Sequence, residues 1–294
     1  MVTLPAATLE LFPRFSLYNS PYVAHEEGCA IDLYPQSDDR PGDDAPSPVA
    51  GEVVATRTVS APPKPYAVEH DYLVVIDTGT HLARILHVEP AVEPGEAVAV
   101  GDSLGEMVRS GFFAPWVDNH VHLGFRERDA NPHRASGSLS VDAAVDPVAV
   151  AWDGTGRVAE RADTYVVLDA PDHPAPGERF AGIGGCVAAS EADGGSSGGD
   201  PEPDGVLDGG LPHYDGGGLL GDASGPVSLA GRPVGVADGR TVAWDDVTVL
   251  ANGTPITGVS LFCSRRASFG AKLVCPDADF EVGERVAVTV TRGR

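Results

Sequence analysis

The sequence predicts an all-β protein. Helical periodicity is scarce along the 294 residues, and short runs rich in Val, Ile and Thr dominate, broken every few residues by Gly, Pro and Asp. A third observation is turn chemistry: Pro94-Gly95 and Gly101-Asp102 bracket Val98–Val100 as two tight turns, and Asn252-Gly253 is a hairpin turn between two β-branched runs.

Taken in order, expected strands are Gly51–Thr58, Tyr72–Asp77, Ala83–Val88, Ala97–Val100 and His120–Arg126, then Tyr165–Leu168. Later ones are Thr241–Leu250, Val259–Cys263, Lys272–Val274 and Arg285–Val290. The polar, proline-bearing run Pro35–Pro46 reads as a mobile loop. Composition changes near Asp146, dividing the chain into a domain over residues 1–145 and a β-rich C-terminal domain over 146–294. Twelve glycines fall between Gly194 and Gly225, and their ordering entropy predicts a flexible linker or long loop within Asp193–Gly225. His213-Tyr214 lies in this stretch and reads as surface loop.

Charge narrows the class of partner. Asp and Glu number 43 against 20 Lys and Arg, a net charge of −23, and Lys64 and Lys272 are the only lysines. No basic stripe exists to neutralise phosphates, so nucleic-acid binding is disfavoured. Acid spread along the whole chain fits a protein adapted to a salt-filled cytoplasm better than a local patch for a cationic partner. At molar salt the Debye length falls to about 3 Å and screens self-repulsion. Residues 1–14 lack a positive n-region followed by an apolar run, and no stretch approaches ~18 apolar residues, so neither a signal peptide nor a membrane span is expected. The four cysteines form no CxxC pair; in a reducing cytosol they read as free thiols, Cys263 and Cys275 included, although a hairpin could bring that pair together.

Histidine spacing carries the chemistry. His120 and His122 lie two apart in an expected strand, so both imidazoles project from one face, with Val121 and Leu123 on the other. Two nitrogens fixed this way suit a metal ion, or a metal ligand beside a general base. Asp32 sits between Ile31 and Leu33, where a carboxylate needs a partner: a metal, a salt bridge or backbone donors. His87 ends the apolar run Ala83–Leu86, and by itself is a hydrogen-bonded core histidine.

The order of these elements resembles the lysostaphin/LytM zinc endopeptidases. That family runs His-x3-Asp, a P-V-x-G-x-V strand, a strand ending in x-H-L, a double turn rich in Val and Gly, and H-x-H. Here the sequence has His25…Asp32, Ser47-Pro-Val-Ala-Gly-Glu-Val-Val54, Arg84-Ile-Leu-His87, the double turn Val92–Gly105, and His120-Val-His122. The resemblance implies a LytM-like antiparallel β domain followed by a second β-rich domain. It further implies zinc held by His25, Asp32 and His122, with His120 and His87 catalytic, and hydrolysis of a peptide or amide bond. His25 precedes Asp32 by seven residues rather than four, which on a continuous strand would turn it to the opposite face; Gly28 permits a bulge or loop that returns it. Phe112, Phe113 and Trp116 depart from the small-residue loop usual before H-x-H, and either wall a pocket or seal a core edge.

Two other classes share the pattern. The double turn is also similar to biotinyl and lipoyl carrier domains, but these need an acceptor lysine at a hairpin tip, and Lys64 and Lys272 do not sit there. The alternative of a different class is a catalytically inactive binding or scaffolding module that engages a protein partner.

Overall fold

The computed structural model describes residues 1–35, 44–188, 202–221 and 223–293, and their regular secondary structure is almost entirely β-strand. Among them the only helices are two of four residues, α1 (Ala6–Leu9) and α2 (Val23–Glu26), and no helix is long and apolar enough to cross a membrane. The chain divides into two compact units. Residues 1–17 and 23–145 form the first; residues 18–22 and 146–294 form the second.

The first unit is built on seven antiparallel strands. They are β2 (Arg14–Ser16), β3 (Ala30–Tyr34), β5 (Gly51–Ser60), β6 (His70–Asp77), β7 (His81–Leu86), β9 (Ala97–Val98) and β11 (Val121–Glu127), in the spatial order β9-β5-β6-β7-β11-β3-β2. A smaller antiparallel sheet pairs β10 (Ser103–Met107) with β4 (Asp44–Pro46) and β8 (Val88–Pro90). Val2–Leu4 (β1) and Val141–Ala143 (β12) form a parallel pair.

Alternation decides what each face of the seven-stranded sheet carries. Val121, Leu123 and Phe125 of β11, Ile31 and Leu33 of β3, and Ala83 and Ile85 of β7 point to the core and are buried. The other face receives Asp32 and His122, which are directly paired, and continues through Ala30 opposite Gly124. The two turns around Val98 form as the sequence implies, with Gly95 at φ 97° and Gly101 at φ 90°.

Several sequence expectations need correction. The run Ala83–Val88 is not one strand: it breaks at His87, whose φ of 70° separates β7 from β8. Thr241–Leu250 is likewise two strands, Thr241–Trp244 and Val247–Ala251. Of the loop expected over Pro35–Pro46, the last three residues are β4, and 36–43 lie outside the described residues.

The glycine-rich segment is the largest correction. Residues 189–201 and 222 lie outside the described residues, but Gly205–Leu211 and Gly216–Leu220 are strands paired to each other. Here glycine serves close approach rather than freedom. A Cβ on Gly217 would stand 2.2 Å from the Trp244 ring, and one on Gly218 would stand 2.2 Å from the Tyr18 ring. His213-Tyr214 is no surface loop either, since Tyr214 is buried and His213 half-buried in the turn between these strands.

Gly205–Leu211 lies at the heart of the second unit, with all seven residues buried. It pairs with Ala181–Val187 and Gly258–Leu261 as well as with Gly216–Leu220. A continuous apolar core runs from Trp152 through Leu207, Leu219 and Val259 to Val290. Asn252-Gly253 closes a hairpin between Val247–Ala251 and Thr254–Pro255, with both turn residues at positive φ. Among the described residues, the four cysteines form no disulfide.

Candidate metal centre

Asp32 anchors the site because β3 is buried at every position, so its carboxylate leaves water along with Ile31 and Leu33. Three imidazoles surround it. His122 Nδ1 is 2.9 Å from Asp32 Oδ1, His25 Nε2 is 3.3 Å away, and His120 Nε2 is 3.4 Å away. His25 Nε2 and His122 Nδ1 are themselves 3.2 Å apart.

The offset of His25 is resolved by local structure. His25 sits not on a strand but in the helical turn α2, and Gly28 at φ 62° turns the chain into β3. Cys29 N closes this turn on Ala24 O at 2.6 Å. A helical turn does not alternate faces, so seven residues return the imidazole to Asp32. The His25 Nδ1–H donates to Leu17 O at 2.8 Å, which leaves the Nε2 lone pair directed at the cluster.

One ligand atom each from His25, Asp32 and His122 lies within 4.8 Å of the others. Donors bound to one tetrahedral ion at about 2.0–2.1 Å would stand about 3.3 Å from one another. The observed separations of 2.9–3.3 Å match that spacing. The electrostatics agree. Burial alone would raise the Asp32 carboxyl, but the adjoining His120 and His25 charges and the His120 and His122 hydrogen bonds hold it well below the usual carboxylate range. Burial pushes His122 down to about 4 against the pull of Asp32, so its imidazole is neutral and able to ligate.

His120 and His87 complete the cluster, their ring centroids 5.0 Å apart and that of His87 5.6 Å from His122. Each has its Nδ1 occupied. His120 Nδ1–H donates to Asp118 O at 2.9 Å, and His87 Nδ1–H donates to Asp71 Oδ2 at 2.6 Å. The His87 ring therefore turns its Nε2 toward the cluster, and the His120 Nε2 faces Asp32 Oδ1 at 3.4 Å. His87 reaches the cluster because its left-handed backbone turns the ring out of strand alternation, a conformation uncommon for a residue with a Cβ.

Asp71 is the site residue that the sequence did not single out. It is wholly buried at the second position of β6 and receives four donors: His87 Nδ1–H, His87 N–H, Ser110 Oγ–H and Tyr72 N–H. Burial would raise its carboxyl, but the His87 hydrogen bond and charge, with Ser110, lower it below the ordinary value. The signal was an acidic residue at the head of an apolar run; which histidine it would meet depended on the fold.

The aromatic segment walls the site. Phe113 lies 4.8 Å from the His120 ring and 5.2 Å from His87, and the Tyr34 ring lies 5.2 Å from His120. Arg109 holds that loop by donating to the carbonyls of Ala114, Pro115 and Val117, and Tyr66 Oη–H donates to Phe113 O. His25, Asp32, His87 and His120 are all at most 5% exposed, whereas the His122 side chain is 15% exposed, so His122 marks the open side.

Two family models match the chain. Residues 3–143 match the DUF8155 N-terminal domain and residues 148–291 match the DUF8155 C-terminal domain, both described as domains of unknown function. No curated protein and no solved structure matches.

Proposed function

We propose that the chain, which carries the two DUF8155 domains in order, is a zinc-dependent hydrolase of a peptide or amide bond, with His25, Asp32 and His122 as ligands. The observation that carries this reading is the spacing of three donor atoms at tetrahedral separations, beside two imidazoles whose Nδ1 positions are occupied. The motif order shared with the lysostaphin/LytM peptidases supports it independently.

Zinc, when bound by three protein donors, keeps one position open, polarises a carbonyl and acidifies water. The residues of the chain supply the rest. His87 Nε2 accepts the proton of the attacking water, because Asp71 fixes the tautomer and stabilises the imidazolium that results. The same Nε2–H then returns that proton to the leaving amine as the C–N bond breaks. His120, its ring fixed by the Nδ1–H bond to the Asp118 carbonyl and its Nε2 beside Asp32, orients the attack of the water. Phe113 and Tyr34 exclude bulk water from both rings.

Ligands and proton carriers should fail differently. Asp32→Ala or His122→Ala should lose zinc and hydrolysis together. His87→Ala and His120→Ala should keep zinc and slow turnover by about 10²–10⁴-fold. Zinc content by elemental analysis, paired with cleavage of a peptide library at high salt, reads both. Full zinc with no cleavage in the unaltered protein would favour the binding-module alternative.

A further inference from the structure

The face of the sheet that carries His122 continues along β11 to Gly124 and then Arg126, with Arg84 of β7 directly opposite Gly124. Arg126 is among the largest fully buried side chains of the protein, at 1% exposure. Its Nη2 donates to the carbonyls of Arg134 and Ala135 at 2.9 and 3.2 Å, but its Nε and Nη1 are buried with no partner. Arg84 is half-buried, and its Nε is also buried without a partner.

Such a pair needs a reason. In a chain with 43 acidic residues and a net charge of −23, no carboxylate among the described residues pairs with either guanidinium. Asp77, opposite Leu82 on this same face, is taken by Arg128 at 2.6 Å. Burial lowers Arg84 to about 10, with the Arg126 charge as the second cause, so the two cations lie close enough to repel. Buried charge without a counterion is costly, and a bound anion relieves it.

Between the cations and the metal ligands the face is apolar and, at Ala30, Gly124, Leu73, Val75 and Leu82, buried. Ala30 and Gly124 leave the centre of the face with almost no side chain, and Leu86, Leu73, Val75 and Leu82 line its flank. Arg84 stands level with the residue two beyond His122, and Arg126 four beyond it. At about 3.3 Å per residue, that is roughly 7–13 Å from the metal ligand, the reach of two to four extended residues of substrate.

We propose that Arg84, backed by Arg126, is an anion-binding subsite that takes a carboxylate of the substrate, selecting apolar peptides with a carboxylate two to four residues from the bond cleaved. This rests on the hydrolase reading for its substrate, although binding alone tests it.

The experiment uses the full zinc-loaded chain at one fixed potassium chloride concentration. Dansylated apolar peptides ending two, three or four residues beyond a central amide are each made with a C-terminal carboxylate and as the C-terminal amide. Binding is read by fluorescence anisotropy and hydrolysis by chromatography. At the fitting length the carboxylate form should bind at least about tenfold tighter, the scale of a hydrogen bond to a charged group. Arg84→Gln should abolish that preference, and Arg84→Lys should retain part of it, with zinc content unchanged and the thermal midpoint not lowered in either. Equal binding of acid and amide, no binding of either, or a preference that survives Arg84→Gln would overturn the subsite; the last would mean that the metal holds the carboxylate. Selective binding without hydrolysis supports the subsite and rejects the hydrolase. Hydrolysis without selectivity does the reverse.

Discussion

The Asp71 carboxylate acts on His87 in two ways. It accepts the Nδ1–H, which fixes the ring with Nε2 toward the cluster, and it accepts the His87 backbone N–H, which holds the left-handed turn. Asp71→Asn keeps the shape and removes the charge. It should slow turnover by about 10²-fold or more while leaving zinc bound, because an amide stabilises neither the tautomer nor the imidazolium. The same group leaves a mark on stability. Its folded value lies below the ordinary 3.8, so its contribution is present above that pH and is lost as pH falls through the folded value. Urea unfolding from pH 7 down to pH 3 should therefore show an acid-side loss that Asp71→Asn makes shallower. An unchanged acid limb would remove Asp71 from the account. At this scale the sequence was legible where strand parity alone fixes direction, as for Asp32 and His122, whereas His120 lies one residue before β11. It was not legible at His25 or His87, because a helical turn and a positive φ, neither encoded in apolar alternation, decide where those rings point.

Strands were legible from β-branched runs, and turns from Pro-Gly and Asn-Gly pairs. Glycine was misread between Gly205 and Leu220, where composition implied slack and the chain instead uses missing side chains to seat the Trp244 and Tyr18 rings. Expected behaviour follows from that packing. Limited proteolysis should spare 205–220 in the native protein, since Gly205–Leu211 is buried throughout. Gly218→Ala should destabilise by about 1–3 kcal/mol, as overpacking against a ring normally does. Early cuts within 205–220, or a neutral Gly218→Ala measured by chemical denaturation, would restore the loop.

Across the whole molecule, charge sets the conditions under which these details matter. With a net charge of −23, self-repulsion opposes the compact state at low ionic strength. The thermal midpoint should climb as potassium chloride rises toward molar concentrations and the Debye length shrinks to about 3 Å. A flat or falling midpoint would leave the acidic composition without this explanation. The central claim is a three-ligand zinc centre, and X-ray absorption at the zinc edge of the protein purified without chelator tests it most directly. The account predicts one zinc per chain with two imidazole nitrogens and two oxygens at about 2.0–2.1 Å, and loss of one imidazole or of the metal in His25→Ala. Absence of zinc from the intact chain, or a sulfur donor at about 2.3 Å, would contradict it.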